Sequence, residues 1–191
     1  MDASRFVFKR YAGEYDHWFE THPAIYQEQL ALLMRVLPEG RMKLEVGVGS
    51  GRFASRLGIR HGLDPSPSLS ALANKRGIET VQGVGEFLPY RANTFDCILM
   101  MTVICFMDDP ARSFSEAFRV IRQGGILVTA FLEKGGGIAK REGVPEHQGR
   151  FLKFATFFTV DDVTGMLAAA GFSRVSPERD LQGLCILIAQ K

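Results

Sequence analysis

Apolar and aromatic residues are spaced at helical intervals near the start of the chain. Between Tyr11 and Leu37 they recur every three or four positions, which predicts two helices. Pro23 separates the two helices, and Pro38 with Gly40 ends the second. The pattern therefore predicts a helical segment before the first strand.

Beyond this segment, short apolar runs alternate with amphipathic stretches. Strands are predicted over Met42–Val46, Ile59–Leu63, Ile78–Val81, Phe95–Met101, Ile126–Leu132, Val175–Leu181 and Leu184–Gln190. Helices are predicted over Ser50–Leu57, Ser66–Gly77, Asp109–Gly125 and Thr159–Gly171. Because strands alternate with helices, we predict an α/β fold with a seven-stranded, mostly parallel sheet and helices on both faces. The last two strands form a hairpin, which places one antiparallel strand in the sheet.

Several helix starts carry their own signals. Ser66, Asp109 and Thr159 each precede a predicted helix, and their side chains can accept hydrogen bonds from its free amide groups. Residues 133–154 are the longest stretch without a clear period. Loops of that length are often functional, so this segment is a candidate wall of a binding site.

Composition and charge narrow the class of protein. Hydrophobic residues make up 46% of the 191 residues and charged residues 23%, as in an ordinary folded protein. The 23 basic and 21 acidic residues give a net charge of +2 and are scattered along the chain. Nothing in the sequence resembles a basic stripe, so nucleic acid is not an expected partner.

The cysteines, histidines and apolar runs exclude further classes. Cys97, Cys105 and Cys185 are odd in number and lie in or beside apolar runs, which favours buried thiols over disulfides. The histidines lack metal-ligand spacing, so no metal is expected. The first residues lack a signal-peptide pattern, and no run approaches the ~20 apolar residues of a membrane span. We therefore expect a cytoplasmic protein that is not embedded in a membrane.

A glycine-rich turn follows the first predicted strand. Gly47, Gly49 and Gly51 lack Cβ atoms, so the backbone there can bend sharply and lie against a ligand. Asp64 ends the second predicted strand, where its carboxylate can accept from both hydroxyls of a ribose. In an open parallel sheet, ligands bind at these strand ends, so the turn and the acid predict a nucleoside-containing cofactor.

Two cofactor classes use such a turn, and the spacing separates them. The dinucleotide fingerprint GxGxxG would place its third glycine at Arg52. The observed GxGxG spacing, with Glu45 before it, instead resembles that of class I S-adenosylmethionine-dependent methyltransferases. The resemblance extends over Leu37 to Lys191. Further motifs follow in the order of that family, namely Gly62–Ser66, Gly85–Tyr90, Phe95–Asp96 and Glu116–Gly125.

The resemblance, which is to the small-molecule, type-11-like branch, implies a Rossmann-like fold and S-adenosylmethionine as cofactor. It implies cofactor contacts by Glu45, Gly47, Val48, Gly49, Gly51, Asp64, Pro65, Ser66, Gly85, Glu86, Phe87, Met101 and Thr102. The glycines would line the methionine part, Asp64 the ribose, and Gly85 with Glu86 the adenine. One departure is Val84, where related sequences often have an acid that accepts from the adenine amino group, so that Glu86 or backbone carbonyls must take over.

The acceptor side is less constrained by the sequence. Tyr11, Tyr15, Trp18 and Phe19 form an aromatic stripe that either closes over the donor as a lid or packs as core. His147 is a candidate general base or a solvated loop residue. We predict a lid over residues 1–40, a methyltransferase domain over 41–191 and a small-molecule acceptor. The alternatives are a non-catalytic cofactor-binding module and a nicotinamide-dependent oxidoreductase.

Overall fold

The computed structural model describes residues 3–39, 42–142, 149–177 and 183–191. The strands of these ranges form one seven-stranded sheet and are β1 (Lys43–Val46), β2 (His61–Asp64), β3 (Glu79–Gln82), β4 (Phe95–Met101), β5 (Ile121–Leu132), β6 (Ser173–Pro177) and β7 (Leu184–Gln190). The helices are α1 (Ala3–Arg10), α2 (Ala12–Thr21), α3 (Pro23–Val36), α4 (Arg52–Arg56), α5 (Pro67–Lys75), α6 (Pro110–Val120), α7 (Gly137–Glu142) and α8 (Val160–Ala169).

The sheet has the strand order β3-β2-β1-β4-β5-β7-β6. Strands β1 to β5 pair in parallel, while β7 is antiparallel to both β5 and β6. The predicted seven-stranded, mostly parallel sheet with one antiparallel strand is therefore confirmed. The chain moves outward from β1 to β3 and then returns to β4, so the strand order reverses between β1 and β4. In open α/β sheets a ligand binds outside the carboxyl ends of the strands at this point.

Two apolar clusters cover the two faces of the sheet. In the central strand β4, Cys97 and Leu99 belong to one cluster, and Ile98 and Met100 belong to the other. This alternation follows from the strand repeat, in which successive side chains point to opposite faces. Helix α3 contributes to the first cluster, whereas α6 and α8 contribute to the second. Helices therefore cover both faces, as predicted.

The predicted helix starts are confirmed at atomic detail. The Ser66 side chain accepts from the backbone nitrogen of Leu69 at 3.3 Å at the start of α5. The Asp109 side chain accepts from the amide of Arg112 at 2.9 Å at the start of α6. Thr159 opens α8 with a capping box. These caps fix the loops that precede the helices, including the short loop between Asp64 at the end of β2 and α5.

The end of α6 differs from the prediction. The helix was expected to continue to Gly124 and Gly125, but it stops at Val120, and strand β5 begins at Ile121. Lys191 explains the early stop, because its Nζ atom donates to the carbonyls of Phe118 and Ile121 at 2.7 and 2.8 Å. Lys191 lies 70 positions beyond Ile121 in the sequence, so the local apolar pattern does not contain this cap.

Two further segments differ from the predicted elements. Helix α1 precedes the two helices predicted for the first segment, and residues 133–154, predicted to be irregular, contain α7 and a 3₁₀ turn at Leu152–Phe154. Strand β6 ends at Pro177, and residues 178–182, which include the end of the predicted Val175–Leu181 strand, lie outside the described residues. No helix in the described ranges is long and apolar enough to cross a membrane.

Candidate functional site

A cavity of about 370 Å³ opens at the carboxyl ends of β1, β2 and β4, beneath the N-terminal helices. Its volume is within the ~300–1,000 Å³ range that is typical of ligand sites. Many of the predicted site residues line it, namely Tyr15, Trp18, Phe19, Gly47, Gly49, Asp64, Pro65, Ser66, Gly85, Glu86, Met101 and Thr102. The sheet therefore brings most of the predicted set together at one place.

Several predicted residues do not line this cavity. Glu45 and Val48 are buried, and Val48 packs against the position of Gly62. A Cβ atom on Gly51 would lie 3.0 Å from the backbone of Ala73, so this glycine allows close contact with α5. The remaining ones are Phe87, which is exposed, and Tyr11, which is half-buried, and both are described below. His147 lies outside the described residues.

The glycine turn is fixed to the end of β2 through its backbone. The amide nitrogens of Gly47 and Val48 donate to the carbonyl of Leu63 at 2.7 and 3.1 Å. Gly47 has a φ of +73°, and a Cβ atom there would lie 2.2 Å from Cγ2 of Val103. A side chain at this position would be strained and would collide with the loop after β4. Glycine thus allows the loops after β1 and β4 to meet.

Asp64 is the polar centre of the cavity. Its Oδ1 accepts from the amide of Ser66, and its Oδ2 accepts from the amide of Gly49, each at 2.8 Å. Each carboxylate oxygen has a second lone pair, so the side chain can still accept from ligand hydroxyl groups. Burial raises the pKa of Asp64 to about 6, although the two amide hydrogen bonds act in the opposite direction.

Glu45 lies behind the turn on β1 and is 2% exposed. Among the described residues, no partner satisfies its Oε2 atom. Burial raises the pKa of Glu45 well above its ordinary value, and the charge of Asp64 adds to this effect. The two carboxyl groups therefore repel each other when both are ionised, and a cationic or donating ligand group nearby would relieve this repulsion.

The segment after β3 is held in place by its own acid. Oε1 of Glu86 accepts from the amides of Asp108 and Asp109 at 3.0 and 3.3 Å, which fixes the segment to the start of α6. Glu86 was expected to face the adenine, and one of its oxygens is already used in this anchor. Phe87 is 61% exposed. The guanidinium of Arg112 stacks on one face of its ring, 4.0 Å from the ring centre.

Helix α6 adds a second anchor to the same segment. Oε2 of Glu116 accepts from the amide of Leu88 at 2.9 Å. Arg119 pairs with Glu116 and donates to the carbonyls of Leu88 and Tyr90 at 2.9 and 2.8 Å. The sequence motif that contains these residues therefore has a structural explanation, because it fixes the loop that forms one wall of the cavity.

Aromatic rings from distant parts of the chain close the cavity. Phe8 of α1 lies 5.4 Å from Tyr15, 4.9 Å from Phe106 and 5.0 Å from Phe151, measured between ring centres. All of these rings line the cavity. Sequence reasoning identified Tyr15 and, as a candidate wall, the segment that contains Phe151, but it missed Phe8 and Phe106 because the pattern near them indicates no ligand.

Tyr15 makes the closest approach of this cluster to the glycine turn. A Cβ atom on Gly49 would lie 3.3 Å from Cε1 of Tyr15, so the ring packs directly on the turn. Burial raises the pKa of the Tyr15 phenol, and the charges of Asp64 and Glu45 raise it further. The phenol is therefore neutral at physiological pH and can donate or accept a hydrogen bond.

The other predicted aromatic residues lie farther out. Trp18 is 37% exposed at the rim of the cavity and stacks on His22, with 4.6 Å between the ring centres. Tyr11 carries the guanidinium of Arg150 4.2 Å from its ring centre and does not line the cavity. The predicted stripe is thus divided between the cavity and the outer surface.

Thr102, directly after β4, has a φ of +49°, which is unusual for a residue with a side chain. Its amide donates to Ala130 at 2.7 Å, and its carbonyl accepts from Sγ of Cys105 at 3.4 Å. Burial raises the pKa of the Cys105 thiol to about 12. Cys105 is thus a protonated core residue, as the sequence indicates, and it stabilises the turn that faces the cavity.

Comparisons with known proteins agree with this geometry. A family model described as a methyltransferase domain matches residues 44–129. A crystal structure from Thermotoga maritima, of a SAM-dependent methyltransferase described as a possible histamine N-methyltransferase, is 30% identical and aligns with a TM-score of 0.89. The match covers 96% of this chain and 98% of that one.

The chain belongs to the class I S-adenosylmethionine-dependent methyltransferases. An uncharacterized protein of Methanocaldococcus jannaschii is 36% identical to this methyltransferase over 88% of the chain and 82% of that protein. An uncharacterized protein of Mycobacterium tuberculosis is also 36% identical, and the chain spans 59% of its length. Membership of the family implies S-adenosylmethionine as methyl donor.

The site of this methyltransferase fits such a donor. Asp64 lines the cavity with buried carboxylate oxygens that can accept from hydroxyl groups of a ligand. The glycine turn leaves backbone exposed to the cavity where a side chain would intrude. Within the described residues, no cluster of histidine, cysteine, aspartate and glutamate is arranged to hold a metal ion.

Proposed function

We propose that this protein transfers a methyl group from S-adenosylmethionine to a small-molecule acceptor. The observation that carries the proposal is the position of Asp64, which is held by two amide hydrogen bonds at the end of β2 and faces the cavity beside the glycine turn. We further propose that Gly47 and Gly49 line the methionine part of the donor and that Asp64 binds its ribose.

The residues that line the cavity position the acceptor atom and shield the reacting groups from water. Bound S-adenosylmethionine would provide a methyl group that is already activated on a sulfonium ion. The protein therefore has to hold the acceptor atom in line with that methyl group, which can lower the barrier by ~7–11 kcal/mol. The aromatic rings of Phe8, Tyr15 and Phe151 exclude water from this region, and their faces can attract a cationic centre.

The proposal of a small-molecule acceptor is supported by the volume of the cavity and by the net charge of the chain. Helices α1 to α3 and the segment around Phe151 border a cavity whose volume is in the range of small-molecule sites. We propose that residues 1–40 act as a lid on a domain formed by residues 41–191. The net charge of +2, without basic runs, makes a nucleic acid acceptor an unfavourable alternative.

The experiment has a binding arm and a turnover arm. Calorimetry with S-adenosylhomocysteine and with NAD tests the cofactor, and we expect the first to bind and the second not to bind. A methyl-release assay then compares amines, including histamine, with phenols and carboxylates. The Asp64→Ala variant is the control for site-specific binding. Binding of NAD without binding of S-adenosylhomocysteine would contradict the proposal and favour an oxidoreductase.

A second candidate function is a cofactor-binding module without catalysis. Val84 favours it, because this apolar residue lines the cavity where related sequences often supply an acid for the adenine. Binding of S-adenosylhomocysteine without turnover of any acceptor in the panel would support this alternative. Methyl release with one acceptor class would exclude it.

A further inference from the structure

A partly buried ion network joins α2 to the glycine turn, outside the cavity. The carboxylate of Asp16 in α2 accepts from Nε of Arg52 at 2.8 Å through Oδ1. Its Oδ2 accepts from Nη2 of Arg52 and from Nη2 of Arg76, each at 2.9 Å. The Asp16 side chain is 15% exposed and that of Arg52 is 17% exposed. Two guanidinium groups thus converge on one largely buried carboxylate.

Both cations are attached to the glycine turn. Arg52 is the first residue of α4 and directly follows Gly51, which ends the turn. Arg76 lies at the end of α5, and its Nη1 atom donates to the carbonyl of Ser50 at 2.9 Å. Asp16 therefore links α2 to the turn at two points, across 36 and 60 positions of sequence.

The preceding residue reaches the turn from the other side. Tyr15 lines the cavity, and its ring packs on Gly49. Adjacent helical residues point in different directions, so the two side chains can contact different parts of the turn at the same time. The Phe19 ring, 5.5 Å from Tyr15, also packs on this face of α2. Fixing Asp16 therefore fixes where the phenol of Tyr15 lies.

We propose that Asp16 is a positioning residue that holds Tyr15 against the glycine turn and so sets the affinity for the methyl donor, a role that rests on the proposed function. Bidentate pairing suits this task, because the planar guanidinium of Arg52 fixes the carboxylate in both direction and distance. Burial opposes the ionisation of Asp16, but hydrogen bonds from Arg52 and Arg76 lower its pKa below the ordinary range. The link is therefore charged over the whole physiological range of pH.

The central test replaces Asp16 by Asn, which keeps the shape and removes the charge. We expect Asp16→Asn to weaken S-adenosylhomocysteine binding about tenfold in calorimetry. Glu20→Gln is the matched control, because Glu20 lies on the same helix and pairs with the same Arg52 at 2.6 Å, but its side chain is 56% exposed. This control should change the affinity less than twofold, as is usual for exposed pairs.

A double-mutant cycle separates positioning from simple stabilisation. If Asp16 acts through Tyr15, then Asp16→Asn should cause no further loss of affinity in a Tyr15→Leu background. Additive losses in the two variants would overturn the proposal. If Asp16→Asn does not fold, Arg76→Gln replaces it in the cycle, because this change removes one of the two links and leaves the Arg52 pair.

Hydrogen exchange tests the link without any ligand. We expect the amides of α2 to exchange at least five times faster in Asp16→Asn than in the wild type or in Glu20→Gln. Equal exchange in all three proteins would overturn the inference whatever the ligand results are. Faster exchange in a protein that does not bind S-adenosylhomocysteine would instead overturn the proposed function and leave the link between α2 and the turn in place.

Discussion

The carboxylate of Asp64 accepts a hydrogen bond from the amide of Gly49 at 2.8 Å, so one side chain joins the ends of β1 and β2. The same carboxylate is bound by the amide of Ser66, which starts α5. Asp64 is therefore held in one orientation before any ligand arrives. A preorganised acceptor loses little entropy on binding, which favours the proposed role of Asp64 as an anchor for two ribose hydroxyls.

This arrangement predicts the effect of removing the carboxylate. We expect Asp64→Ala to weaken S-adenosylhomocysteine binding at least tenfold, because both hydroxyl acceptors are lost and the Gly49 amide loses its partner. Calorimetry at pH 7.5 measures the change. Asp161→Asn, at an exposed acid on α8 away from the cavity, is the matched control and should leave the affinity unchanged. An unchanged affinity in Asp64→Ala would remove this residue from the site.

The raised pKa of Asp64 predicts a pH dependence of binding. Its value of about 6 means that about one tenth of the unliganded protein has an ionised Asp64 at pH 5. Because ribose hydroxyls donate to the ionised form, affinity should rise about tenfold between pH 5 and pH 7.5. The free energy of unfolding changes with pH in the opposite direction. Because the pKa of Asp64 is raised in the folded protein, its protonated form stabilises the fold at low pH, and this contribution is lost as the pH rises through 6.

The Asp64→Asn variant isolates this titration from that of Glu45. Asn keeps an acceptor oxygen but has no charge to titrate, so any pH dependence that persists in the variant belongs to Glu45 or to other groups. Calorimetry from pH 5 to pH 8 on both proteins is the measurement. Parallel pH profiles for the wild type and the variant would show that Asp64 does not control the binding.

The parts of the site that the sequence predicts are those that local patterns encode. The apolar run of residues 97–101 in β4, the caps at Ser66 and Asp109 and the glycine turn each lie within a few adjacent residues. Asp64 belongs to this group because the end of a parallel strand fixes its position in the sheet. Such signals need no knowledge of distant contacts.

The missed parts depend on contacts between distant residues. Asp16 meets Arg76 across 60 positions, and Phe8 stacks on Phe151 from the far end of the chain. The short stretch around each of these residues is compatible with an ordinary surface or core role. The anchoring role of Glu86 was missed for the same reason. Its partners Asp108 and Asp109 lie 22 and 23 positions farther along the chain, beyond β4.

The glycine turn predicts a second mutational effect. Gly47→Ala places a Cβ atom 2.2 Å from Cγ2 of Val103 and leaves a side chain at a φ of +73°. We expect a loss of unfolding free energy of about 2–4 kcal/mol, from overpacking and from the left-handed backbone together. Chemical denaturation measures this change. In the Gly47→Ala/Val103→Ala double variant the contact with Cγ2 is removed, but the Cβ atom of residue 103 would still lie 2.7 Å away and the backbone strain persists, so less than half of the loss should be recovered.

Glu86 provides the last test, because it was expected to face the adenine while its Oε1 anchors the loop to α6. If it is chiefly an anchor, Glu86→Gln should reduce stability by about 1–2 kcal/mol and weaken S-adenosylhomocysteine binding about as much as Glu116→Gln, which leaves one uncharged acceptor oxygen for both the Leu88 amide and Arg119 in the second anchor. Calorimetry with S-adenosylhomocysteine and with its inosine analogue, which lacks the adenine amino group, measures both effects. A loss confined to Glu86→Gln and to the adenine-containing ligand would instead show that Glu86 accepts from the amino group, in place of the acid that Val84 lacks.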